Sequence, residues 1–127
     1  MIKENDLRLN NLVMANYKTD LLSKVTWIQE GSINVVFDRQ PDLINGVVCS
    51  VNDLKPIRLT EEWLLKGGAE KKKSHWGYDR FTLLYSKDYN FFSVRDAETL
   101  AYITKVEFVH EWQNLVFILN GSEIVFK

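Results

Sequence analysis

Apolar residues recur every second position along much of the chain, the period of a half-buried strand rather than of a helix. Leu7-Arg8-Leu9 and Leu12-Val13-Met14 read as short strands flanking Asn10-Asn11, a polar pair suited to a turn or bulge. Val25-Thr26-Trp27-Ile28 and Ile33-Asn34-Val35-Val36-Phe37 are β-branched and aromatic, and Gln29-Glu30-Gly31-Ser32 between them carries the glycine of a tight hairpin. Gln40-Pro41-Asp42 and Ile44-Asn45-Gly46 break the pattern. Val47-Val48-Cys49-Ser50-Val51 reads as a buried strand, and Ile57-Arg58-Leu59 after Pro56 as an edge strand. Several short strands in residues 1–59 predict a small barrel-like arrangement, SH3-like or a simple meander.

Thr60-Glu61-Glu62-Trp63-Leu64-Leu65-Lys66-Gly67-Gly68 changes the pattern. Thr60 is a cap for the first turn, Glu61, Glu62 and Lys66 suit the helix dipole, and a glycine can end the helix. A helix this short is held by packing, with Trp63 and Leu64 as its anchors. Trp76 and Tyr78, then Phe81, Leu83 and Tyr85, then Phe92 and Val94, then Leu100, Tyr102 and Thr104 alternate again, separated by polar turns. They predict an antiparallel meander with one wet face. Trp112, Leu115, Val116 and Leu119 fall at helical spacing before Asn120-Gly121, which favours a helix over 110–119 against a rival strand. Ile124-Val125-Phe126 reads as a closing strand. The fold class expected is α+β: a β-rich lobe over 1–59, and an α+β lobe over 60–127 with a short helix, a meander and a terminal helix. Lobes of about 60 residues have little stability alone, so one cooperative unfolding transition is expected.

Two segments resemble a known family. Leu59-Thr60-Glu61-Glu62-Trp63-Leu64-Leu65-Lys66 resembles the "LTEEWLLKFGF" signature of an uncharacterised family of small bacterial and phage proteins. Val109-His110-Glu111-Trp112-Gln113-Asn114-Leu115-Val116-Phe117 is similar to its "VHQLQNLYFALTGEEL", and Leu7-Arg8-Leu9-Asn10-Asn11-Leu12-Val13 to its "LRIGNLV". Gly67-Gly68-Ala69 stands where that family has Phe-Gly-Phe, Asn11 stands one place past a usual glycine, and Trp112 replaces a leucine. The resemblance implies no assigned activity; it implies a phage, prophage or other mobile-element setting.

Composition narrows the function classes. The 127 residues are 46% hydrophobic and 26% charged, which fits a chain with a packed core. Leu115 to Leu119 is the longest apolar run, far short of the ~20 residues of a membrane span, and the start has no apolar signal-peptide core. A single cysteine, Cys49, fits a reducing cytoplasm. Sixteen basic residues oppose seventeen acidic ones, and neither half of the chain is polarised. A dedicated nucleic-acid binder carries a basic excess. Near-neutrality also gives little colloidal repulsion, so self-association into a homo-oligomer is a mild expectation.

Catalytic and metal patterns are weak. Cys49 with His110 could make a thiol–base pair, but Cys49 lies in an apolar run that suits a core position. His75 and His110, the two histidines, have no ligand spacing. Glu61 and Glu62 are neighbours and point to different helix faces. Gly67-Gly68 is followed by Ala69-Glu70 rather than a phosphate-loop ending. No cofactor, no metal and no catalytic residue are assigned, and the expectation is a non-enzymatic protein-binding module. Its candidate surface is Tyr89, Phe91 and Phe92, because adjacent strand residues face opposite ways and one of Phe91 and Phe92 must leave the core unless both faces are covered. The alternative is a nucleic-acid accessory protein, with Lys71, Lys72 and Lys73 on phosphates and Trp76 as a stacking face. Against it, the three lysines can equally be a solvated hairpin tip.

Overall fold

The structure is a computed structural model that describes residues 2–3, 6–17, 19–30, 32–37 and 46–127. The protein is mixed α+β, and its two antiparallel sheets belong to two compact units, Met1–Ile57 and Arg58–Lys127.

In the first unit the strands are β1 (Leu12–Tyr17), β2 (Thr19–Gln29), β3 (Ser32–Phe37), β4 (Val47–Cys49) and β5 (Leu54–Lys55), in the order β4-β3-β2-β1-β5. Consecutive strands pair as a meander, and β5 returns to the free side of β1. Among the described residues no pairing joins β4 to β5, so the sheet is open rather than a closed barrel. Val13, Ala15, Val25, Ile33, Val35, Phe37 and Leu54 form its core with Ile2 and Leu7.

Several local expectations change. Leu7-Arg8-Leu9 is not a strand. Asn11 is buried, takes the Arg8 amide on its side-chain oxygen at 2.7 Å and the Val25 amide on its carbonyl at 2.9 Å; the Asn10 amide donates to the Val25 carbonyl at 2.7 Å, and Asn10 takes a left-handed φ of 73°. This polar turn therefore starts β1 rather than joining two strands. Val47–Val51 is not a buried strand: β4 is a short edge strand with Val48 exposed, and a 3-10 turn at Val51–Asp53 follows, capped by Ser50. The breakers 40–45 lie outside the described residues. Gly46 beside them has φ 83°, and a Cβ there would stand 2.5 Å from the Val35 carbonyl, so this corner requires glycine.

The second unit contains α1 (Glu61–Lys66), β6 (Glu70–Lys71), β7 (Trp76–Tyr78), β8 (Phe81–Ser86), β9 (Phe91–Asp96), β10 (Tyr102–Val106) and α2 (Val109–Asn120). Its sheet runs β10-β9-β8-β7-β6. The inner face holds Trp76, Phe81, Leu83, Phe92, Val94 and Val106, and α2 lies on it. Trp112 meets Tyr78 and Phe81 edge-on, at 5.5 and 5.9 Å between centroids. The helix over 110–119 forms, but its buried stripe is Val109, Trp112, Gln113 and Val116. Leu115 is half-buried and Leu119 is exposed, so the apolar spacing misplaces the face by part of a turn. Glu111 sets the helix start by accepting the amides of Glu107 and Phe108 at 2.8 and 3.1 Å.

α1 begins as expected, with Thr60 Oγ1 accepting the Trp63 amide at 3.4 Å. Leu64 is its fully buried anchor. Trp63 is only half-buried, edge-on to Phe126 at 5.4 Å and covered by Lys66 at 5.0 Å. Gly67 ends α1 where Ile124 and Phe126 pass: a Cβ there would meet Ile124 Cγ2 at 2.9 Å. Ile124–Phe126 belongs to no ladder. The tail instead rests on α1 by these side chains, with one bond from the Lys127 amide to the Lys66 carbonyl. Nor do Leu100, Tyr102 and Thr104 form an inner face. Leu100 sits in the turn, β10 opens on exposed Tyr102, and a bulge between Tyr102 and Thr104 brings Val106 inward. Residues 57–59 make no strand: Arg58 forms an isolated bridge to Phe108, and the Leu59 amide bonds the Glu107 carbonyl at 2.9 Å.

Candidate partner-binding surface

On β9 the side chains alternate, so Phe92 and Val94 enter the core while Phe91, Ser93 and Arg95 face the other way. Phe92 is 1% exposed and Tyr89 is 73% exposed. Of the three aromatics, Tyr89 and half-buried Phe91 therefore come together at the surface, their rings stacked 6.0 Å apart at 21°. Phe92 points into the core on the opposite face, packed against Tyr85 at 5.1 Å.

The turn between β8 and β9 positions this pair. Asn90 ends it with φ 59°, a left-handed conformation that asparagine accepts more easily than most residues. Its side-chain oxygen takes the Tyr85 hydroxyl at 2.7 Å, and its carbonyl takes Arg58 Nη1 at 3.0 Å. Arg58 also lies over the Phe108 ring at 5.1 Å and stands 3.8 Å from Glu107 Oε2. Glu107 Oε1 is 3.5 Å from Lys105 Nζ, and Lys105 in turn covers the Phe91 ring at 5.2 Å. A continuous series of contacts thus runs Tyr85, Asn90, Arg58, Glu107, Lys105, Phe91, Tyr89. Beside it opens a cavity of about 230 Å³ lined by Arg58, Leu59, Thr60, Glu61, Tyr85, Asn90 and Phe92. Leu59 and Phe92 are buried, which makes them its apolar floor; Arg58, Tyr85 and Asn90 supply polar groups. Sequence reasoning missed Arg58, Tyr85, Asn90 and Lys105. Arg58 and Lys105 lie 47 positions apart along the chain by their numbers, and the Arg58–Phe108 bridge with the Leu59–Glu107 backbone bond brings them to the same place.

The lysine run is built differently. Lys71 Nζ is 3.1 Å from Glu61 and Lys72 Nζ 2.9 Å from Glu70, while Lys73 is exposed. Trp76 is 5% exposed, with Lys71 over its ring at 5.2 Å and its buried indole Nε1 without a hydrogen-bond partner. Trp76 is thus a core residue of β7. The Lys72 bond, then its charge, hold the Glu70 carboxyl below its ordinary pKa.

Cys49 is half-buried at the end of β4. Burial, then the charge of Asp53, push its thiol pKa up, which keeps it protonated at neutral pH. His110 is buried on the first turn of α2, stacked on Phe108 at 6.0 Å. Glu61 and Glu62 pair with Lys71 and Lys66. Among the described residues no three His, Cys, Asp or Glu side chains stand together as a metal site, and no helix is long and apolar enough to cross a membrane. Compared with family profiles, curated proteins and solved structures, the chain matches none.

Proposed function

We propose that this protein is a non-enzymatic interaction module that binds another protein through the surface around Tyr89 and Phe91. The observation that carries the reading is Tyr89: a large aromatic ring, 73% exposed, stacked on Phe91. Ordering such a ring before binding lowers the entropy cost of contact. Tyr and Arg are also the residues that most often dominate binding energy at interfaces, and Arg58 stands in the same series of contacts. Residues 1–57 act in this proposal as an SH3-like unit. The support is the meander order, with β5 returning to β1 directly after a 3-10 turn. The family resemblance supports a phage or prophage setting, and the lone cysteine a cytoplasmic one.

The test is a photo-crosslinking phenylalanine analogue at position 89, irradiated in cells. The expected product is one dominant protein adduct that disappears when Phe91 is changed to Asp. A nucleic-acid adduct at position 89, or crosslinking spread over many proteins and insensitive to Phe91→Asp, would show the reading to be wrong.

A further inference from the structure

We infer that Asn120 is a self-modification site: an Asn-Gly pair held intact by hydrogen bonds at the end of α2, and converted to aspartate or isoaspartate when that end opens. The inference is independent of the protein-binding reading, and its only co-reactant is water.

The chemistry is set by the pair Asn120-Gly121. Asparagine is thermolabile because the next backbone nitrogen can attack its side chain. The Gly121 nitrogen gives its proton to a solvent base and bonds to Asn120 Cγ. The bond from Cγ to Nδ2 breaks, and that nitrogen leaves as ammonia with a proton from solvent. Water then opens the resulting succinimide at either carbonyl, to aspartate or to isoaspartate. One water is consumed, one ammonia is released, and nothing is oxidised. Glycine leaves the attacking nitrogen unhindered: no heavy atom of the described residues lies within 4 Å of where a Gly121 Cβ would stand.

The folded chain blocks this step with hydrogen bonds. Asn120 is the last residue of α2, and the Gly121 amide donates to the Phe117 carbonyl at 2.8 Å, so the nucleophile is engaged. Asn120 Nδ2, the leaving group, donates to Asp79 Oδ2 at 2.7 Å. A carboxylate only accepts, which fixes which side-chain atom of Asn120 faces it. Arg80 Nη2 donates to the Leu119 carbonyl at 2.8 Å. The turn between β7 and β8 therefore clasps two successive residues of the helix end. Burial does little of the protecting, since Asn120 is half-buried and Gly121 exposed, within reach of water and base.

Conversion opens the clasp. Either acid replaces the Nδ2 donor with a carboxylate, set against that of Asp79 and at the negative end of the helix dipole. Isoaspartate also routes the main chain through Cγ and lengthens it by one carbon directly before the tail. Ile124 of that tail is buried beside Gly67, and the Lys127 amide bonds the Lys66 carbonyl at 2.9 Å, so the added carbon displaces contacts on α1.

The experiment incubates the intact protein in warm, mildly alkaline buffer, folded or in urea. Conversion at Asn120 is followed by peptide mass spectrometry with fragmentation, and isoaspartate by enzymatic methylation. The folded chain should convert about tenfold or more slowly than the unfolded one, because only the locally opened state reacts. Asp79 has φ 51°, which glycine accepts, so Asp79→Gly removes the acceptor without straining the turn. It should speed conversion of the folded chain about fivefold, the effect of one lost hydrogen bond on opening. Arg80→Ala frees Leu119 and should act in the same direction; it remains informative should Asp79→Gly fail to fold, as judged by circular dichroism. Equal rates folded and unfolded, a rate indifferent to both substitutions, or no isoaspartate at position 120 in the unfolded chain would overturn the inference.

Discussion

Leu100 occupies a conformation that few leucines adopt. Its φ is 62° in the turn between β9 and β10, where the Asp96 carboxylate accepts the amides of Glu98 and Thr99 at 2.9 and 3.0 Å. A branched side chain there costs roughly 1–2 kcal/mol, and its contact surface is mostly in solvent. Leu100→Asn should therefore stabilise the protein by about 1 kcal/mol and raise the melting temperature by about 3–5 °C. An unchanged or lower melting temperature would show that the leucine makes compensating contacts. The same two amides hold the Asp96 carboxyl below its ordinary pKa. A lowered folded pKa gives stability that is present above the unfolded value, about 3.9, and lost as pH falls through the folded one. Asp96→Asn keeps an acceptor without a titration, so its urea midpoint should fall less than the wild type's between about pH 5 and pH 2. Cys49 should react with iodoacetamide more slowly near neutral pH than a cysteine in the urea-unfolded chain, as followed by intact mass, because its raised pKa leaves little thiolate. Single residues also explain why faces are hard to read from a sequence. Strict alternation puts Val25 and Trp27 on one face. A bulge between them puts Ile28 against the core and Trp27 in solvent, with Thr26 and Asn34 hydrogen-bonded across the irregularity.

Among the elements, α1 and α2 show what pattern alone conveys. The start of α1 is legible because its cap is local: Thr60 and the carboxylates are neighbours in sequence. Its anchor is not, since Trp63 packs against Phe126, which lies in a tail with no ladder of its own. The loss on Trp112→Ala should be about 3–5 kcal/mol, as for a fully buried large aromatic. Trp63→Ala should cost clearly less, and a comparison of the two denaturation midpoints decides it. Gly67 makes a sharper case. Alanine is ordinarily the better helix residue, yet a Cβ at 67 would stand 2.9 Å from Ile124 Cγ2. Gly67→Ala should destabilise by about 1–3 kcal/mol through overpacking, and trimming Ile124 to alanine in the same chain should recover part of that loss. The meander of residues 76–96 is well marked by its alternation. Beyond it the signal fails at β10, where the bulge and the exposed Tyr102 shift the phase by one residue.

For the whole molecule, the sequence conveys the class and the balance of charge but not the assembly of the candidate surface. Tyr89 and Phe91 are conspicuous as neighbours. Arg58 and Lys105 are not, because a bridge between distant segments brings them together. Near-neutrality has its own consequence. The isoelectric point is about 6.1, so light scattering from concentrated solutions should be greatest near that pH and fall by pH 8, where like charges keep molecules apart. The four tryptophans are divided unevenly between the units. Residues 1–57 contain Trp27 alone, and it is exposed; residues 58–127 contain Trp63, Trp76 and Trp112, of which the last two are buried. Indole fluorescence moves to longer wavelength when water reaches the ring, so this arrangement gives the protein a built-in optical label. Loss of structure in residues 58–127 turns two dry emitters wet and shifts the spectrum strongly to the red. Loss confined to residues 1–57 moves the colour much less, because its single indole is already about half exposed.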